Sequence, residues 1–535
     1  MSSLELVVAV GVAILVGAGL SRRLGIAPPV LLLITGVLLG FVPALREVHL
    51  PPEAVLLLFL PVLLYWEAFM SSLREIHSNL RVIVLLSTLL VVATAAGVAV
   101  AVHALGVAWG PAWVLGAAVA PTDATAVGVL GRMLPRRIAT MLKAESLVND
   151  GTALVIYTLA VGVTLGEEHL SPGHVAGLFT MSYVGGIAAG LLVTFGILQI
   201  RRRLTEPFQH NLLALLTPLA AYLLAEAAEV SGVLAAVVSG LWVGRVSPRL
   251  FPGHARRYVQ TTMNFLTQLA NSALFVLVGL EAQSAVRGLD STGLARGLLV
   301  AVVVCAVIVA VRFGWLFTSP YLIRAIGRRP QQRERRLSGR PRALMSAAGF
   351  RGAVSMAAAL AVPHTLPSGE EFPDRDLIIF VTAVVIAVTL LVQAPLMPRV
   401  MRWAGLGADG EAERERRAAE VTSLEHALAA LPELAANLGT SDEITQQLRA
   451  EYDRRLRVLR DADSGPDQEA ARYEQQYADL HLAVIDHRHD TVVGMRDRGE
   501  IDDEVLLRVQ DGLDLEQDHM AQRRDNDTPA PSPGG

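Results

Sequence analysis

The stretch KAESLVNDGTALVIYTLAVGV, residues 143–163, joins polar side chains to a long apolar run. Its first turns carry Glu145, Ser146, Asn149 and Asp150. A charge at the centre of a bilayer costs roughly 2.5–3.5 kcal/mol on insertion scales, so carboxylates in such a run need a specific reason to be there. In a helix, Glu145 and Asn149 share one face, as do Ser146 and Asp150, and the two pairs are adjacent. The stretch predicts a membrane helix that presents a hydroxyl, an amide and a carboxylate toward one side.

Apolar runs of this length recur through most of the chain. The protein has 535 residues, of which 52% are apolar, and the runs are concentrated before about residue 400. Each run is long enough to cross the roughly 30 Å of hydrocarbon in a bilayer. The sequence predicts an all-α polytopic membrane protein with about thirteen transmembrane helices, at 4–20, 28–43, 54–70, 82–106, 111–131, 144–166, 174–200, 210–228, 231–245, 261–282, 294–320, 342–366 and 376–398.

The loops between these spans alternate in charge. One set is rich in arginine and includes the long loop 321–342, whereas the other set is mostly acidic. The positive-inside rule places the basic set in the cytoplasm, and an odd number of spans then puts the N-terminus outside and the C-terminus inside. We expect residues 1–404 to form the transmembrane domain and residues 405–535 an acidic, helical cytoplasmic tail, with 520–535 disordered.

Two spans contain helix-breaking residues. In GAAVAPTDATAVGVLG, Pro121 precedes Asp123, and in SAAGFRGAVSMAAAL, Gly349 and Gly352 flank Arg351. Irregular backbone at membrane depth survives where protein packs around it or where it lines a wet cavity. Two interrupted helices seven spans apart predict inverted repeats of six spans on either side of one linker, with discontinuous helices that cross at the midplane.

The polar residues of these spans suggest a cation site. Asp150, Asp123, Ser146, Glu67 and the Thr122 carbonyl provide oxygen ligands alone, which suit a small hard monovalent cation and would not hold zinc or copper. Other roles are open for several residues at this stage. Glu67 could point to water, Asn149 could bridge helices, and Asp123 could pair with Arg351. Glu145 is better explained as the counter-charge of Arg312, which lies deep in the eleventh span.

The motifs together resemble the monovalent cation:proton antiporter-1 family, the sodium/proton exchangers, especially its bacterial members. The matching segments are ESLVND at 145–150, APTDATAV at 120–127, GFRGAVS at 349–355, LPVLLYWEAF at 60–69 and NSALFVLVGLE at 271–281. The resemblance covers about residues 1–400 and leaves the tail without a match. It implies a thirteen-span fold with a core ion-translocation bundle, a separate dimerisation bundle and hence a homodimer.

The resemblance also assigns roles to individual residues. It makes Asp150 the essential carboxylate for sodium and for the proton. It places Asp123, Ser146, Asn149, Glu67 and the Thr122 carbonyl around the cation, pairs Arg312 with Glu145, and gives Arg351 the stabilisation of the crossed helices.

The implied function is secondary active exchange of sodium or lithium for protons across the bacterial cell membrane, for pH and sodium homeostasis. Asparagine at position 149 implies electroneutral one-for-one exchange, because electrogenic relatives carry aspartate there. A potassium/proton antiporter of the same fold is the alternative, since ligand type alone does not resolve ionic radius. An intramembrane aspartyl protease is disfavoured, because Asp150 follows LVN and not a GxG run. We therefore expect a transporter and not an enzyme, with no cofactor beyond the transported ions and with membrane lipid, not nucleic acid, as its surroundings.

Overall fold

The computed structural model describes residues 3–24, 28–43, 59–123, 136–166, 172–250, 253–288, 291–326, 339–405, 411–461 and 468–527. Across these ranges the secondary structure is helical, with one isolated β-bridge between Thr365 and Glu371. The predicted all-α class is confirmed. The chain divides into two compact units, Met1–Asp409 and Gly410–Gly535.

The first unit is built mainly from apolar helices. In chain order they are α1 (Ser3–Leu24), α2 (Pro28–Leu39), α3 (Leu60–Phe69), α4 (Leu73–Ala104), α5 (Trp109–Val119), α6 (Arg136–Thr164), α7 (Pro172–Arg201), α8 (Pro207–Ala227), α9 (Gly232–Leu250), α10 (Gly253–Gly288), α11 (Ser291–Ile326), α12 (Gly339–Ala347), α13 (Ala353–Leu360), α14 (Arg375–Val388) and α15 (Ala394–Ala404). Within the described residues, seven helical segments are long and apolar enough to cross a membrane, and five further apolar helices are shorter. The total of thirteen spans stays a prediction.

Both predicted interruptions coincide with helix ends. Helix α5 stops at Val119, two residues before Pro121, and the rest of that predicted span beyond Asp123 lies outside the described residues. The span predicted over 342–366 is two short helices, α12 and α13, separated by the residues around Arg351. Gly352, with φ −153° and ψ −143°, is the extended residue from which α13 begins.

A third irregularity was not predicted from the sequence. The last span contains a π-helical turn, Thr389–Gln393, between α14 and α15. A π turn inserts an extra residue into the helical ladder and frequently marks a functional site. Here it brings two polar side chains toward the broken span α12–α13, as described below.

Helices α3 and α9 pack with their backbones in close approach. A Cβ atom added to Gly240 would lie 2.3 Å from the carbonyl oxygen of Tyr65, and one added to Gly244 would lie 2.4 Å from that of Phe69. The two glycines are one helical turn apart, in the small-xxx-small arrangement that lets membrane helices approach closely. This contact fixes α3, the helix that carries Glu67.

The second unit contains two pairs of packed helices. Helix α16 (Glu411–Leu438) packs on α17 (Asp442–Asp461), and α18 (Gln468–Asp497) packs on α19 (Asp503–Asp527). The second pair has its own apolar core of Ala478, Ile485, Leu513 and Met520. The expectation of disorder across 520–535 is wrong for 520–527, which are helical because Met520 is anchored in that core; residues 528–535 lie outside the described residues.

We expect Gly240→Ala to lower the stability of the folded protein, because the new methyl group meets main-chain atoms of α3 that cannot rotate away. Overpacking of this kind costs about 1–3 kcal/mol. The measurement is the apparent melting temperature of the detergent-solubilised protein. Gly196→Ala is the matched control, since a Cβ at Gly196 meets no heavy atom within 4 Å. Equal melting temperatures for the two variants would contradict the close contact of α3 and α9.

Candidate functional site

Asp150 lies at the centre of the candidate site. Its side chain projects from α6 and is only 2% exposed. The carboxylate oxygen Oδ1 is buried and has no hydrogen-bond partner among the described residues. A buried carboxylate oxygen without a donor is costly unless a proton or a cation satisfies it. Asp150 is therefore equipped to hold a positively charged species.

Two further carboxyl groups surround Asp150. Glu67 on α3 and Asp123 after α5 are both close enough to interact electrostatically with the Asp150 side chain, and with one another. Glu67 is partly buried, and its interaction with Asp123 and Asp150 places its side chain beside this cluster. Ser146 and Thr122 are also buried, at 2% and 5% exposure. The fold thus brings the predicted oxygen ligands into one region from three separate segments of sequence.

Asn149 is a bridge between helices. Its side chain is fully buried. In the amide orientation that satisfies both of its groups, the nitrogen donates to the main-chain oxygens of Glu145 and Ser87 at 3.2 Å, and the oxygen accepts from the Thr122 hydroxyl at 3.1 Å. These bonds join α6 to α4 and to the unwound end of α5. The amide is engaged by protein on both sides, which favours the bridging role over direct cation binding.

The two interrupted spans meet at Asp123. Its main-chain N–H donates to the carbonyl oxygen of Phe350 at 2.8 Å. A Cβ atom built on Gly352 would fall only 1.5 Å from Asp123 Oδ2, so the carboxylate occupies the space that any other side chain at 352 would need. Asp123 therefore lies against the N-terminal end of α13, where the helix dipole favours a negative charge. The glycine that breaks the span also admits the carboxylate.

Arg351 holds the crossing together. Its fully buried guanidinium donates to the carbonyl oxygens of Val119 at 3.0 Å and Ala120 at 3.5 Å, and also to that of Gly349. These carbonyls lie at the end of α5 and in the break before α13, where helical partners are lost. The stabilising role that the resemblance gave to Arg351 is consistent with these bonds, which satisfy main-chain oxygens of both broken spans.

The π turn supplies two further partners of the break. The Thr389 hydroxyl accepts a hydrogen bond from the main-chain N–H of Arg351 at 3.3 Å. Gln393 donates to the carbonyl oxygen of Ala347, the last residue of α12, at 2.6 Å. Sequence reasoning missed both residues, although a threonine and a glutamine in the otherwise apolar TLLVQ were a usable signal.

Glu145 and Arg312 form a buried ion pair, as expected from the sequence. Arg312 Nη1 lies 2.6 Å from Glu145 Oε1, and the two side chains are 3% and 10% exposed. The same guanidinium donates through Nε and Nη2 to the carbonyl oxygen of Met345 in α12, at 3.2 and 3.0 Å. Arg312 thus ties the helix of Asp150 to the first half of the broken span.

The family profile described as "Sodium/hydrogen exchanger, transmembrane" matches residues 10–403. This match covers the whole region that carries the site. The chain belongs to the sodium/hydrogen exchanger family. Because the family transports ions, this protein is a polytopic membrane transporter and not an enzyme.

Individual relatives agree with the family assignment. The chain is 42% identical over 96% of its length to an uncharacterized Na(+)/H(+) exchanger of Mycobacterium tuberculosis, 95% of which is covered. It is 32% identical to the Na(+)/H(+) antiporter ApNhaP of Aphanothece halophytica, over 71% of this chain and 70% of that protein. Among solved structures, the sodium proton antiporter MjNhaP1 of Methanocaldococcus jannaschii superposes with a TM-score of 0.59 at 20% identity, over 76% of this chain and all of that one. The superposition supports the exchanger fold.

We expect Glu145→Gln to destabilise the exchanger, because Arg312 then keeps a buried charge without its carboxylate. Removing one partner of a buried ion pair typically costs about 3–5 kcal/mol. Folded yield and apparent melting temperature in detergent measure the effect. The control is Glu371→Gln, which removes an exposed carboxylate in the loop before α14. A Glu145→Gln protein as stable as this control would show that the pair is dispensable.

We expect Gly352→Ala to reduce ion transport by at least about tenfold, because the new methyl group displaces the Asp123 carboxylate by an ångström or more. Transport is measured in everted membrane vesicles, with the amount of folded exchanger determined in parallel. Gly314→Ala on α11 serves as control, since a Cβ there meets no heavy atom within 4 Å. Full transport by Gly352→Ala would mean that the position of Asp123 is unimportant.

Proposed function

We propose that this exchanger moves sodium, or lithium, in one direction and protons in the other, and that Asp150 carries either ion. The observation behind the proposal is the buried Asp150 oxygen that has no donor among the described residues. The family, and the names of its relatives as Na(+)/H(+) exchangers and antiporters, support the choice of ions.

The mechanism is competition for one carboxylate. When protonated, Asp150 is neutral; when ionised, it binds one sodium ion, so the occupied site has the same total charge in both states. The bare carboxylate would have to cross the membrane without its water, which desolvation prohibits. Only occupied forms then alternate between the two sides, and transport of one ion is coupled to transport of the other.

The remaining ligands have distinct roles in this proposal. Glu67, Asp123, Ser146 and the Thr122 carbonyl complete an oxygen shell for the cation, which suits sodium. Asn149 fixes Thr122 and α6, and the two arginines hold the scaffold. Because position 149 is a neutral amide, Asp150 alone exchanges a proton for a sodium ion in each cycle. We infer a stoichiometry of one sodium ion for one proton.

The cellular setting follows from the charge pattern of the loops. We propose that residues 1–404 form the exchanger domain in the bacterial cell membrane, with the N-terminus outside and the acidic tail 405–535 in the cytoplasm. The exchanger works as a homodimer, needs no cofactor other than the transported ions, and serves pH and sodium homeostasis.

The test is exchange by the purified protein in liposomes with an imposed pH gradient. We expect sodium or lithium added outside to dissipate the gradient saturably, with little response to potassium, and clamping the membrane potential to leave the rate unchanged. Asp150→Asn should abolish exchange, because an amide can neither release a proton nor bind sodium in its place. Wild-type liposomes without cation-dependent proton flux, or robust exchange by Asp150→Asn, would refute the proposal.

A further inference from the structure

A cavity of about 160 Å³ lies between the ends of α3, α4 and α6. Its lining combines polar groups of Ser71, Ser72, Thr140 and Lys143 with the apolar side chains of Met70 and Ile76. Ser72 and Lys143 are exposed, so the cavity, here called the entry pocket, reaches the protein surface. The site described above does not use it.

Two helices lead from the entry pocket to the carboxyl cluster. On α6, Lys143, Ser146 and Asp150 follow each other at i, i+3 and i+7 and therefore lie on one face. Seven residues of helix correspond to roughly 10.5 Å, so the pocket is about two turns from Asp150. Just beyond the end of α3, Ser71 follows Glu67 by four residues, and its hydroxyl donates to the Glu67 carbonyl oxygen at 2.7 Å. The pocket thus lies within about two helical turns of both Glu67 and Asp150, on the helix face that carries Ser146 and Asp150.

Lys143 differs from Ser71 and Ser146, two other polar residues near the carboxyl cluster, because it carries a positive charge. Its ammonium group interacts electrostatically with the Glu67 carboxylate, and Glu67 interacts in turn with Asp150. The two deeper cations are otherwise engaged, since Arg312 pairs with Glu145 and Arg351 donates to main-chain carbonyls. Lys143 is therefore an exposed positive charge at the pocket that acts on the carboxyl cluster.

We propose that Lys143 sets the affinity for the entering cation by competing electrostatically with it at Glu67. The proposal rests on the function proposed above and assigns an affinity-determining role to a residue outside the ligand shell. While the site is unloaded, the ammonium group compensates part of the charge of the carboxyl cluster. An entering sodium ion must compete with the ammonium group for the negative charge of Glu67, so the site binds sodium less tightly than it would without Lys143. Loading therefore requires a higher sodium concentration, and sodium is released faster.

Steady-state exchange in everted vesicles tests this role, because the proposed cytoplasmic face is then outside. Sodium is titrated at a pH alkaline enough that protons compete weakly. We expect Lys143→Gln to lower the KM for sodium about two- to fifteenfold, the range that the Coulomb interaction of unit charges about 10 Å apart gives for effective dielectric constants between roughly 80 and 20. Lys143→Glu should lower it further, and Lys143→Arg should leave it unchanged. Adding choline chloride should shrink the differences, since salt screens exposed charges.

The control is Arg203→Gln, which removes an exposed positive charge that does not line the pocket. Thermal stabilisation of the detergent-solubilised variants by NaCl gives an apparent affinity that does not depend on transport, and it should show the same order. The inference is overturned if Lys143→Gln and Lys143→Glu keep the wild-type KM, or if Lys143→Arg changes it as much as Lys143→Gln does. Asp150-dependent exchange by the wild type would still stand in either case, so failure of this inference is distinguishable from failure of the proposed function.

Discussion

The burial of the Asp150 carboxyl group constrains the helices and broken spans that surround it. An ionised carboxylate removed from water has lost its hydration, and at this position Oδ1 gains no hydrogen bond from the described residues in return. Two more carboxyl groups nearby add repulsion to that cost. The carboxyl cluster is therefore stable when a proton or a cation is bound and unstable when neither is bound. Coupling between two transported ions needs no separate gate in this arrangement, because the desolvation that makes the guest necessary also prevents the unloaded site from crossing.

Placing such a cluster at membrane depth requires irregular backbone, and irregular backbone requires partners. Val119, Ala120, Ala347 and Gly349 all have carbonyls that receive hydrogen bonds from Arg351 or Gln393, and the N–H of Arg351 finds Thr389. The partners come from two parts of the fold, Arg351 from the break before α13 and Thr389 and Gln393 from the π turn. In a medium without water these bonds replace the lost helical ones, and they also fix where Asp123 lies. The same hydrogen-bond network therefore positions the polar residues of the site and stabilises the irregular backbone around them.

The sequence predicted the positions of the breaks well and the partners of the broken ends poorly. Pro121 and the glycines around Arg351 mark the breaks because their effect on a helix is local. Thr389 is 38 residues from Arg351, and Met345 is 33 residues from Arg312, so no spacing rule connects either pair. The same limit applies to Gly352, whose contact with the Asp123 carboxylate depends on how two distant segments cross. In the tail, composition suggested disorder for 520–527, but burial of Met520 against α18 extends the helix.

The groups that contact the side chain at position 149 favour a neutral residue there. The Asn149 amide nitrogen faces two main-chain carbonyl oxygens, those of Glu145 and Ser87, and its oxygen faces a hydroxyl that can donate. An aspartate there would direct one carboxylate oxygen at two acceptors, and only a protonated carboxyl could donate to either of them. Such a group would hold its proton for structural reasons while Asp150 exchanged its own. A second transported charge at this position would therefore require both a different residue and different main-chain contacts on α4 and α6. For this reason the packing around Asn149, and not the side chain alone, supports exchange of one ion for one.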